Sequence, residues 1–246
     1  MRFRLTALIV AALPAAVLFA RVAPAATNTV GSAADTVVTN HPGLGGTSGV
    51  NGSDSTMYAI GTGGFESHPL VRFDLSAFAG HSVSGSPSFR LFLNGGQSPV
   101  STNSFDLHRA LVNWDETTSW DTFGPLPGYN VGTDYDSTPA ATQVVTSASS
   151  GSYVSFPLPL PLVQGWIDNP ATNFGLFMHA AGAAAGNDLR FSSREGANTP
   201  QLVFDSTLIP EPGALVLAAF GCVAIFARRS ATVQRRHCGP VRRTPK

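Results

Sequence analysis

Three tryptophans, two arginine–carboxylate pairs, and a scatter of acids and histidines hold whatever chemistry this chain performs. Arg72 stands two residues before Asp74, and Arg194 is followed at once by Glu195. A guanidinium presents its donors in a planar fork that fits a carboxylate or a pair of sugar hydroxyls through parallel hydrogen bonds. The same arginines also read as internal ties to Asp74, Glu195 or backbone carbonyls across a sheet. Trp114 and Trp120, set among acids and threonines, read equally as core or as platforms for the apolar face of a sugar ring. Trp166, one turn beyond Leu162, reads as core.

Catalytic chemistry finds less support. Asp115, Glu116 and Asp121 suit proton transfer, but glycosidic hydrolysis needs two carboxylates held across a cleft at a set separation. Gly80-His81-Ser82-Val83-Ser84-Gly85 falls short of a nucleophile elbow, because Ser84 occupies the place of the second glycine. The histidines at 41, 68, 81, 108 and 179 are scattered, without a pair at helical ligand spacing or a cysteine nearby, and a metal role is not expected of them. Asp134 and Asp136, with Asn51 and Asp54, offer oxygens for a structural calcium ion, though without the spacing of an EF-hand loop. No catalytic residue is assigned, and the chain is expected not to be an enzyme.

The elements that must position these groups are short strands. In Val71-Arg72-Phe73-Asp74-Leu75 the apolar side chains share one face and the charges the other, since successive side chains of a strand alternate. Phe89, Leu91 and Leu93 repeat the pattern, as do Phe105 with Leu107, and Val154 with Phe156 and Leu158. Phe174, Leu176 and Met178 follow, then Leu189 with Phe191 and Leu202 with Phe204. Many short strands between Gly-, Ser- and Pro-rich turns predict an all-β domain, an antiparallel, jelly-roll-like β-sandwich. One short helix is expected over Leu162–Ile167, ending before Asn169-Pro170. Residues 43–64 and 124–151 read as long loops, the second as an insertion.

The body, 26–209, contains five arginines, no lysine and fourteen carboxylates, a formal charge of −9. An acidic body without a basic stripe excludes nucleic acid as a partner class, because that binding depends on cations meeting phosphates. Both cysteines, Cys222 and Cys238, lie in the tail, so the body must stand on hydrophobic burial without disulfides.

Six landmarks occur in order in that body: Val71-Arg72-Phe73-Asp74-Leu75-Ser76; Trp114-Asp115-Glu116 to Trp120; Leu162-Val163-Gln164-Gly165-Trp166; Asn173-Phe174-Gly175-Leu176; Leu189-Arg190-Phe191-Ser192-Ser193-Arg194-Glu195; and Pro200-Gln201-Leu202-Val203-Phe204. This succession resembles the DNRLRE domain, an extracellular bacterial β-sandwich classed among carbohydrate-binding modules, and covers roughly Asp35 to Asp205. The resemblance implies a non-catalytic module in contact with extracellular polysaccharide. Trp114, Trp120, Arg72 and Arg194 are its candidate binding residues. A secreted polysaccharide-degrading enzyme and a ligand-free structural coat protein stand as the alternatives.

The two ends read as sorting signals. Arg2 and Arg4 precede an apolar stretch from Leu5 to Phe19, and Ala23-Pro24-Ala25 supplies small residues where a signal peptidase cuts, placing a signal peptide over 1–25. At the other end Pro210-Glu211-Pro212 stops the last strand, Gly213 to Ala227 is uncharged and apolar, and Arg228-Arg229 supplies a positive stop. About fifteen residues is short of the roughly 20 that span a bilayer comfortably. This layout, 210–229, resembles the PEP-CTERM sorting signal, which implies processing by an exosortase. The same residues also suit a plain membrane anchor. The expected product is exported to the cell surface or extracellular matrix of a diderm bacterium. It meets the inner membrane only transiently, through its C-terminal hydrophobic helix, with 230–246 as a basic cytoplasmic tail.

Overall fold

The computed structural model describes residues 24–62, 64–96, 102–181 and 188–209. Ala25–Thr207 forms one compact unit. The second unit, 1–24 with 208–246, falls almost wholly outside the described residues, so the leader and the apolar tail are not placed. Among the described residues no helix is long and apolar enough to cross a membrane.

The chain is all-β, as expected, and its registered strand pairs are antiparallel. The strands are β1 (Ala26–Thr39), β2 (Thr56–Thr62), β3 (Phe65–Phe73), β4 (His81–Gly96), β5 (Thr102–Arg109), β6 (Ala141–Thr146), β7 (Ser152–Pro157), β8 (Leu176–Ala181), β9 (Leu189–Ser192) and β10 (Gln201–Leu208). The single α-helix among the described residues, α1 (Leu160–Asp168), buries Val163, Trp166 and Ile167. It starts two residues before the expected Leu162 because Pro159 and Pro161 suit a helix start, where missing N–H donors cost nothing.

Pairing runs β1-β10-β4-β9-β2-β3 and closes through β3 onto β1, while β8, β5 and β6 continue outward from β3 and β7 pairs with β4. Closure depends on two strands that change partners along their length. The first half of β1 pairs with β10 and the second half, past a bulge between Ser32 and Ala34, with β3. Likewise Thr56–Ala59 of β2 pairs with β9, and Ile60–Thr62 with β3.

The inner faces meet in a core of Phe73, Phe89, Leu91, Phe105, Phe156, Trp166, Phe191 and Phe204, among others. A second, smaller core lies on the opposite face of β3 and β8. Leu70, Phe177, Val38 and Ala34 are covered there by Trp114, Phe123 and Tyr135 from the segment 110–140. That segment is therefore a packed cover, and the insertion expected over 124–151 is corrected on two counts. Its aromatic residues bury on the sheet, and Ala141–Thr146 within it forms β6. The loop expected over 43–64 likewise contains β2. The alternation expected at Phe174, Leu176 and Met178 also breaks. Leu176 and Met178 face the inner core, while Phe174 packs against the outer one. Gly175 between them adopts a φ of 81°, which turns the chain from one core to the other.

Candidate functional site

Arg72 is on the outward face of β3, near its end, and its guanidinium lies over the Trp114 ring, 5.1 Å from the centroid. Its Nη1 donates to Asn113 Oδ1 at 3.1 Å. Arg194 approaches from the turn after β9. Its Nη2 contacts Glu116 Oε1 at 2.7 Å and Glu195 Oε1 at 2.8 Å, and its Nη1 donates to the Ala33 carbonyl at 2.6 Å. Between the two arginines lies an open depression of about 410 Å³, lined by Ala33, Ala34, Asp115, Glu116 and Thr117 as well. Asp115 caps its own turn, accepting from the Thr117 amide at 2.8 Å and the Thr117 hydroxyl at 2.6 Å, which holds its carboxyl below the usual range. The depression thus presents two guanidinium groups and two carboxylates fixed by their neighbours, a surface suited to hydroxyl-rich ligands.

Beneath it, Asp35 is 1% exposed. Oδ2 accepts from the Arg194 amide at 2.8 Å and the Ser32 hydroxyl at 3.3 Å, while Oδ1 is buried without a partner. Burial pushes this carboxyl from 3.8 up to about 7, against the pull of the Arg194 amide. A carboxyl raised on folding binds its proton more tightly in the native state. Its stabilising contribution is complete below about pH 4 and disappears as pH rises to about 7. Asp35→Asn, which cannot ionise, should match the parent at pH 4 and exceed it by about 2–4 kcal/mol at pH 8. Urea unfolding at the two pH values measures this, and an unchanged difference between them refutes the burial of a charge at Asp35.

The structure divides the residues singled out in the sequence. Arg72 and Arg194 share the depression. Trp114 is 3% exposed and donates its Nε1–H to the Phe174 carbonyl at 2.6 Å, so the platform reading is corrected: protein already occupies its faces. Trp120 is half-buried and stands edge-on to Tyr129 and beside His68. His68 precedes Arg72 by four strand residues, so Trp120 lies roughly 13 Å along β3 from the depression. Trp166 is core, as expected. Asp74 sits beyond the end of β3 and accepts from the Ser76 amide, so it does not pair with Arg72. Asp121 lies in the cover and is exposed. Of the residues expected to offer oxygens to calcium, Asp54 is exposed, and the other three make contacts within the fold. Asp134 binds Asn130 twice at 2.8 Å, Asp136 pairs with Arg109 at 3.3 Å, and the Asn51 amide donates to the Val37 carbonyl. Ala25 is exposed ahead of β1. Ala23, Pro210, Glu211, Pro212, Arg228 and Arg229 lie outside the described residues.

A second constellation escaped the sequence reading. On the outer face, Asp106 and His108 of β5 and His179 of β8 bring one ligand atom each within 4.8 Å of the others. Among the described residues this is the group of three His, Cys, Asp or Glu side chains able to hold a metal. Burial lowers both imidazoles from their ordinary value. Next along the sheet, His68 stacks on His179 at 5.2 Å, and Glu66, bound by the Tyr129 hydroxyl at 2.6 Å, lies 3.6 Å from His68 Nε2. His68 and Tyr129 together hold the Glu66 carboxyl down at about 2. The available signal was the i, i+2 spacing of Asp106 and His108 on an alternating strand.

No family model matches this sequence, and no curated protein matches it.

Proposed function

We propose that this chain is a non-catalytic exported surface or extracellular-matrix protein, whose body is a jelly-roll-like β-sandwich of the DNRLRE kind in contact with polysaccharide. The partner changes of β1 and β2 support the sandwich reading, since strands that leave one sheet for the other make such corners. The observation that carries the binding reading is the depression between Arg72 and Arg194. Its exposed guanidinium and carboxylate groups match vicinal hydroxyls, and Trp114 acts from beneath by holding the Arg72 plane. With a body charge of −9, a neutral polysaccharide is a better ligand than an anionic one, and nucleic acid is excluded. Processing by signal peptidase and exosortase completes the reading, with the tail meeting the inner membrane only in transit.

Expression in a diderm host tests it. Intact-mass analysis of protein recovered from the surface or medium should show a product starting near Ala26 and ending near Pro210. On a glycan array that product should retain neutral polysaccharides, and Arg72→Ala should weaken retention about tenfold, roughly 1.4 kcal/mol. A folded parent that retains no glycan leaves the ligand-free coat protein. Cleavage of the bound glycan would make the chain an enzyme, contrary to this proposal.

A further inference from the structure

We propose that Asp106, His108 and His179 form a binding site for a first-row divalent cation of the zinc class. Two histidine nitrogens and a carboxylate oxygen are a donor set that suits zinc and its neighbours and does not suit calcium, which takes oxygen ligands. The strand pairing builds the site. Asp106 lies directly opposite His179 across β5 and β8, and His108 is two residues along β5 on the same face. Donor atoms directly across an antiparallel pair are close enough for one ion to bridge them.

Each donor is already oriented by a neighbour. His108 Nδ1 donates to the Asp136 carbonyl at 2.7 Å, which leaves Nε2 with the lone pair that a metal needs. Asp106 Oδ1 accepts from the Thr142 hydroxyl at 2.6 Å, leaving its second oxygen available. The His179 ring packs on one side against His68, stacked at 5.2 Å, and Tyr129, 5.7 Å away, which are themselves in contact. The hydrogen bonds on His108 and Asp106 are the outer support that metal-ligating histidines and carboxylates characteristically have. The donors lie within 4.8 Å of one another, and on a tetrahedral ion with bonds of about 2.0–2.1 Å they would draw in to about 3.4 Å. That is a small adjustment of side chains whose strands are already paired. Three protein ligands leave one position for water or a ligand atom. Bound there, the ion would clasp β5 to β8, and through His108 and the Asp136 carbonyl it would tie down the cover segment.

Exported protein is stripped with a chelator and titrated with Zn²⁺ by calorimetry, and with Co²⁺ by visible absorption. One equivalent of Zn²⁺ should bind at the site with a micromolar or tighter Kd, and Co²⁺ should give ligand-field bands, while Ca²⁺ gives no response. Asp106→Asn and His179→Gln should each weaken Zn²⁺ at least tenfold, and Thr142→Val, which removes the orienting hydroxyl, about tenfold. Any zinc held by His237 and Cys238 of a retained tail is untouched by these changes, so the loss of one equivalent belongs to this site. The Thr142 side chain is exposed, so Thr142→Val decides the matter should either ligand variant fail to fold. A parent that takes up no Zn²⁺ overturns the proposal, as do folded variants that titrate like the parent.

Discussion

Trp114→Ala should destabilise the protein by about 3–5 kcal/mol, the range for truncating a buried large aromatic. The indole is 3% exposed and fills the outer core with Leu70, Phe177 and Phe123. Its removal leaves a cavity and strips the Phe174 carbonyl of the Nε1–H that binds it at 2.6 Å. A buried acceptor left alone adds its own desolvation cost. For a domain of this size each kcal/mol moves Tm by roughly 2–4 °C, so a fall of about 6–20 °C is expected. Trp166→Ala, 1% exposed in the inner core, should behave alike. Trp120→Ala, half-buried at the edge of the cover, should cost less than about 2 kcal/mol. A Trp114→Ala protein that melts with the parent would mean that 110–140 does not cover the sheet. This expectation also makes Arg72→Ala the cleaner probe of glycan contact, since it changes the depression without emptying the core.

Thermal unfolding of these three variants separates what sequence patterning reveals from what it hides. The inner core was legible because one face of a strand recurs every second residue: Val71 with Phe73, Phe89 with Leu91 and Leu93, Leu202 with Phe204. The outer core was not, because β3 is apolar on both faces around Leu70 and Val71, and its cover comes from a Gly- and Pro-rich segment that reads as solvated loop. Phe123, Tyr129 and Tyr135 are too widely spaced there to show a period. β1 was missed for a related reason. Its second half, Ala34–Thr39, is buried on both sides and does not alternate. At the depression, Arg72 and Arg194 were recognisable as unusual cations in an acidic body, but only the meeting of β3 with the turn after β9 makes them neighbours. The histidine constellation was less legible still. Its ligands come from two strands separated in sequence by β6, β7 and α1, and no local spacing records that Asp106 faces His179.

Gly175→Ala should be nearly as damaging as losing Trp114, although it adds only one methyl group. The residue has a φ of 81°, a left-handed conformation that costs an L-residue about 1–2 kcal/mol. A Cβ there would lie 2.2 Å from the Val71 carbonyl oxygen and 2.9 Å from Arg72 Cα, and neither can move without disturbing β3. Overpacking of this kind adds about 1–3 kcal/mol, for a total of about 2–5 kcal/mol. The neighbouring bonds leave little room for relaxation. The Gly175 carbonyl accepts from the Ala110 amide at 3.0 Å, and its amide donates to Asn173 Oδ1 at 3.2 Å. Asn173 in turn donates to the Phe73 carbonyl at 2.9 Å, so the turn is fastened to β3 on one side and to the chain leaving β5 on the other. Gly151 separates the two contributions. Its φ is 82°, but a Cβ there meets nothing within 4 Å, so Gly151→Ala should show the conformational cost alone. Urea denaturation of the pair should therefore differ by about 1–3 kcal/mol, which is the cost of the clash. Equal losses would mean that the chain does not pass so close to Val71. Phe174 and Leu176 could then not be committed to opposite cores by a single residue between them.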